Sequence, residues 1–167
     1  MLLKGDDNSM KVTVVIIVSI LALWVAMFFL RGFMSASGEA PGAVNDKLTK
    51  CPDKPNCVCS EISSANAAFV SPIELKSENT ADAWLLLTMS INEQGGQIKI
   101  DAGDYLAATF TSAVFGFVDD LEARLDVEQG VIHLRSASRV GHSDFGVNRQ
   151  RIELLKRRFS EKASALQ

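Results

Sequence analysis

Nineteen consecutive residues, Val12 to Leu30, carry no charge, and Thr13 and Ser19 are their only hydroxyls. Such a run is too long and too apolar for the surface of a small domain. At about 1.5 Å of rise per residue, a helix of it spans roughly the 30 Å of a bilayer's hydrocarbon. It predicts a transmembrane anchor over 12–33, bracketed by Lys11 and Arg31, with Trp24, Phe28, Phe29 and Phe33 gathered where aromatic rings favour the membrane interface. The competing reading is a cleaved secretory signal, for which Ser35-Ala36-Ser37-Gly38 supplies small residues. Signal cores are shorter, about 7 to 15 residues, so length favours the uncleaved anchor. A lipoprotein signal fits poorly, because the first cysteine, Cys51, follows Lys50 far beyond the run.

The anchor divides the chain into a tail at 1–11, a linker at 34–50 and a globular domain at 51–162. Flanking charge orients it only weakly, since Lys4 and Lys11 are diluted by Asp6 and Asp7 while Arg31 and Lys47 stand beyond the span. The cysteines favour a cytoplasmic tail and a domain on the periplasmic or extracytoplasmic side of the cell membrane. Cys51 and Cys57 bracket a Pro-containing loop that a disulfide can close in an oxidising compartment, whereas Cys57 and Cys59 stand too close for an easy bridge. Cys59 is then left over, open to a redox role. Metal binding is the weaker reading: C-x5-C-x-C is not a usual zinc spacing, and His133 and His142 are the only histidines. No metal and no other cofactor is expected.

Beyond residue 34, fourteen Lys and Arg stand against eighteen Asp and Glu, which argues against nucleic acid as a partner. The charge is segregated. Lys99 to Glu128 holds seven acidic and two basic residues, and Arg135 to Arg158 holds seven basic and two acidic, so the two segments are expected to face each other.

The small, polar stretch at 34–50, punctuated by Pro41 and Gly42, suits a tether, and Pro52 and Pro55 make the next segment a stiff strap. Residues 62–78 read as irregular, with an extended piece around Phe69 and Val70. Asn79-Thr80 caps a helix over 81–92 that Gly95-Gly96 stops, with Ala81, Trp84, Leu85, Thr88 and Ile91 on one face. From Gln97 to Ala137 the apolar period changes to two, which predicts four strands with short connections. Asp144 to Asn148 offers caps for a last helix with Ile152, Leu155 and Phe159 in line. The expected architecture is α+β: a transmembrane helix, then a two-layer domain in which a four-stranded antiparallel sheet packs against two helices.

Three segments carry a resemblance: CPDKPNCVCS at Cys51 to Ser60, Phe117 to Asp120, and RSASRVGHSDFGVNRQRIE at Arg135 to Glu153. Over about residues 50 to 160 the chain resembles the uncharacterised family catalogued as domain of unknown function 1499. The resemblance implies a bacterial or plastid-associated protein, often exported or membrane-anchored, with no agreed activity. Cys59 departs from it, standing where the family usually has serine.

The segment from Arg135 to Arg151 is the candidate site. On a structural reading its arginines tie the sheet end to the last helix through Asp119, Asp120 and Asp144; adjacent aspartates on a strand face opposite ways, so one arginine meets only one of Asp119 and Asp120. On a functional reading Arg135, Ser136, Ser138, Arg139, Asn148 and Arg149 hold a carboxylate, phosphate or lipid headgroup beside the N-terminus of the last helix. No catalytic residue is assigned, because His142, Ser143 and Asp144 are sequence neighbours on a turn, and such neighbours rarely converge. The function expected is a membrane-anchored binding or scaffold module, its partners the bilayer and a small anionic ligand or envelope protein. The alternative is a cell-envelope enzyme, a hydrolase or a thiol-dependent one, using Cys59 or the Ser143 region. The apolar cluster around Phe115-Gly116-Phe117 reads as core, and as a membrane- or partner-facing patch where exposed.

Overall fold

A computed structural model describes residues 7–75 and 79–165. The chain runs as α1 (Asp7–Ala36), β1 (Ala43–Val44), β2 (Lys47–Leu48), β3 (Cys57–Cys59), β4 (Ile73–Glu74), α2 (Thr80–Glu93), β5 (Gln97–Asp101), β6 (Tyr105–Thr111), β7 (Val118–Asp126), β8 (Val131–Ser138) and α3 (Val147–Ala165). The fold is α+β. The predicted meander is present as β5 to β8, each strand antiparallel to the next.

The sheet has six strands rather than four. β8 has β7 along one edge, and along the other it pairs with β3 at Arg135 to Ala137 and with β4 at Val131 and Ile132. Both added strands are too short to show a period of two. What places them is a central strand with a free edge, which must find partners for its backbone groups.

Alternation then gives the sheet two different faces. One face, with Leu106, Ala108, Leu121, Ala123, Ile132 and Leu134, meets α2 and α3 in the core and excludes water almost completely. From α3 come Ile152, Leu155 and Phe159; from α2 come Trp84, Leu87 and Ile91. The predicted α2 face was rotated, since Leu85 is exposed and Leu86 is buried in its place. Burying one such side chain contributes about 1.5 to 3 kcal/mol, and this cluster holds the fold together.

The 34–50 segment is not a loose tether. Asn45 and Asp46, with φ of 51° and 56°, turn β1 back on β2, as a two-residue hairpin of the primed type requires. The ribbon folds over the second face of the sheet, burying Leu48. The irregular reading of 62–78 is interrupted by β4, and its last residues, 76–78, lie outside those described, as do residues 1–6 of the predicted tail.

α1 is one helix of thirty residues, long and apolar enough to cross a membrane, with its apolar window unburied by the domain. Its C-terminal end is fixed to the sheet. Ser35 is buried, accepts a hydrogen bond from the Val118 amide at 2.8 Å and donates to the Val118 carbonyl at 3.2 Å.

Candidate functional site

The acidic and basic segments meet residue by residue. The second face of the sheet carries Asp120, Glu122, Arg124 and Asp126 from β7 opposite His133 and Arg135 from β8, with Arg139 just past its end. Glu122, wholly buried, accepts from Arg135 Nη1 at 2.7 Å, from the Tyr105 hydroxyl at 2.8 Å and from the Gly42 amide of the ribbon at 2.9 Å. Burial, and then the Glu122 charge, push the Tyr105 phenol well above its ordinary range. Beside this set, Arg124 bridges Glu61 at 2.8 Å and Asp126 at 3.1 Å, while Glu61 accepts from the Leu48 amide.

His133 completes that cluster. Ser60 Oγ accepts from the Leu134 amide at 2.9 Å and shares a hydrogen bond with His133 Nδ1, 3.1 Å away. His133 Nε2 lies 4.0 Å from Glu61 and 3.9 Å from Asp126. Burial holds the His133 pKa below its usual value and outweighs the pull of the two carboxylates. None of these partners was named from sequence, although charges at alternate positions 122, 124 and 126 inside an otherwise apolar strand mark a buried polar face.

The two adjacent aspartates serve opposite faces. Asp120 takes Arg139 in a fork, Nε at 2.8 Å and Nη2 at 2.7 Å, and the pairing raises the guanidinium's pKa. The remaining Arg139 nitrogen donates to the carbonyls of Ser35 and Ala36, capping the C-terminus of α1 where a cation is favoured. Asp119 faces α3 and pairs with Arg151 at 2.6 Å, whose guanidinium also stacks 4.5 Å from the centre of the Phe110 ring.

The start of α3 is knitted to the same strand. Asp144 accepts from the amides of Gly146 and Asn148. Buried Asn148 accepts from Ser136 Oγ and Arg151, and donates to Ser138 Oγ and to the Asn56 carbonyl. Ser136, Ser138 and Asn148 thus bind one another. His142 is exposed, and Ser143 and Asp144 bond to the turn's own backbone rather than to each other.

Arg149 differs from its neighbours. Arg124, Arg135, Arg139 and Arg151 each contact a carboxylate, whereas Arg149 donates to the carbonyls of Phe69 and Ala67 and has no carboxylate within 4 Å among the described residues. It lines an open cleft of 1130 Å³, between the disulfide loop and the turn before α3, that is shared by Lys47, Lys50, Lys54, His142 and Asn66. Asp53, Glu61 and Asp144 border it too, the last two being engaged elsewhere. Between Asp144 and Gly146, which line the cleft, Phe145 is 93% exposed with φ at +55°, a conformation that costs an aromatic residue about 1 to 2 kcal/mol.

The disulfide joins Cys51 to Cys57, with Cα atoms 5.6 Å apart. Cys59 is free and fully buried, and burial raises its thiol pKa. Among the described residues no three His, Cys, Asp or Glu side chains are grouped to hold a metal ion.

A helix long and apolar enough to cross a membrane, a disulfide strap and a sheet with a buried ionic face characterise this α+β chain. The family described as protein of unknown function (DUF1499) matches residues 47–159, and the chain belongs to it. Comparison with curated proteins and with solved structures gives no match.

Proposed function

We propose that this protein is a membrane-anchored extracytoplasmic binding module that takes a small carboxylate or phosphate ligand at the Arg149 end of its Arg-rich turn. What carries the reading is the Arg149 guanidinium, paired with no carboxylate among the described residues, in a cleft where it and three lysines stand against Asp53, Glu61 and Asp144. Arg135, Ser136, Ser138, Arg139 and Asn148 enter as the scaffold that holds this corner, because each is engaged inside the fold, Arg135 through Nη1 to Glu122 while its buried Nε has no partner among the described residues. A strained, solvent-facing Phe145 between two residues of the cleft wall supports a binding role, since such conformations collect where function outweighs local stability.

The Cys51–Cys57 bridge supports an extracytoplasmic domain, because such a bridge persists where the surroundings are oxidising. An uncleaved anchor is supported by Ser35 and by Arg139, because removal of α1 would strip the hydrogen bonds that Ser35 makes at the start of β7 and that Arg139 makes to the helix end. An enzymatic role for Cys59 finds no support in a thiol that solvent does not reach.

Calorimetric titration of the full chain in neutral-lipid nanodiscs with inorganic phosphate and with citrate tests the proposal. Wild type should bind at least one anion, Arg149→Gln should lose that binding with its melting temperature little changed, and Arg149→Lys should keep part of it. Arg139→Ala should lower the melting temperature instead. Undetectable binding by wild type, or equal binding by Arg149→Gln, would discard the site.

A further inference from the structure

The β6–β7 loop lies against the membrane helix in an unusual way for a soluble hairpin. Tyr105 to Val118 is a stretch of fourteen residues without a charge. At its tip, the Phe115 ring sits 5.2 Å from that of Phe28 and 5.3 Å from that of Phe29, centre to centre, and Phe117 meets Phe28 edge-on. Phe28 and Phe29 belong to the uncharged run itself. The loop therefore reaches back past Arg31 and Ser35 to the last turn of that run, and a membrane that contains Phe28 and Phe29 meets Phe115 at the same depth.

A further observation points to lipid as what surrounds the tip. Val114 is 68% exposed and Phe29 52%, an apolar rim left uncovered among the described residues. The turn itself is pinned at its base: the Ser112 amide donates to the Phe117 carbonyl, Gly116 to the Ser112 carbonyl and Phe117 to Ser112 Oγ. Close approach is possible because residue 32 is glycine, where an added Cβ would stand 1.7 Å from the Phe115 carbonyl oxygen.

We propose that the Ser112–Phe117 loop is a second membrane contact, inserting Val114 and Phe115 at the hydrocarbon boundary beside α1, so that the domain is held on the bilayer at two points. The inference rests on the reading that Val12 to Leu30 crosses the membrane. Since the headgroup layer is roughly 5 to 7 Å deep on each side, the loop needs only its tip to reach the acyl chains.

The test uses the full chain in phosphatidylcholine vesicles, with single Leu23→Cys, Val114→Cys or Val127→Cys substitutions labelled by an environment-sensitive fluorophore and quenched by nitroxide-bearing lipids. The native thiols do not interfere, because Cys59 is buried and the other two are bridged. Leu23 reports the anchor, Val114 the loop, and Val127 the exposed turn between β7 and β8. Strong quenching at the first two sites and little at Val127 is expected, with Gly32→Val lowering the Val114 signal several-fold and leaving Leu23 unchanged. Quenching at Leu23 alone overturns the loop contact and leaves the anchor standing; absence at Leu23 removes both. Equal quenching at Val114 and Val127, or a blue-shifted Val114 label that lipids do not quench, also overturns it, the latter by showing a protein partner there.

Discussion

Glu122 and Arg135 place a salt bridge where water is excluded, and a buried pair of this kind costs most when only half of it is removed. Arg135→Met should lower stability by about 3 to 5 kcal/mol, since it leaves a buried carboxylate with only Tyr105 and Gly42 as donors, whereas Glu122→Leu combined with Arg135→Met should recover much of the loss. Chemical denaturation of the three proteins decides this, and additive losses would contradict the pairing. Tyr105 is the chain's single tyrosine, so its absorbance isolates the same site. Its folded pKa is raised, so the stabilisation is complete below the ordinary tyrosine value of about 10 and is lost as pH rises through the folded value. Phenolate absorbance should therefore appear only as the domain unfolds; titration near 10 with the fold intact would show Glu122 elsewhere. His133 has the opposite sign. Its folded pKa lies below 6.5, so its contribution is present above that value and is lost as pH falls through the lower folded one. Thermal unfolding between pH 7.5 and 5 should decline less steeply in His133→Gln than in wild type, and parallel declines would rule this out.

At the scale of elements, the ribbon of β1 and β2 acts as a cover for the ionic face rather than as a connector. Leu48→Ala should cost about 2 kcal/mol or more, as for any buried leucine, and replacing 40–48 with a Gly-Ser stretch of equal length should destabilise the domain comparably. Unchanged melting in the second variant would return the segment to a tether. Sequence made the meander and the α3 stripe legible because β6 to β8 and α3 are long enough to display their periods. The ribbon was not legible. Its two-residue strands have no period, and Asn45-Asp46 lacks the glycine that announces a primed turn. In the candidate site, opposite facing of Asp119 and Asp120 follows from alternation alone, but the partner of each arginine depends on cross-strand register, as with Glu122 opposite Arg135.

For the molecule as a whole, compartment and covalent state are linked. Protein taken from cells under thiol-trapping conditions and then denatured should show one titratable thiol, Cys59, and three after reduction. Three without reductant would remove the argument for an oxidising side. The clamp that Arg139 makes on the last carbonyls of α1 bears on mechanics. A helix of roughly 45 Å leans when the bilayer is thinner than its apolar length, and with no slack between the span and the sheet, the domain leans through the same angle. The height and aim of everything on its outer surface would then vary with the thickness of the lipid beneath.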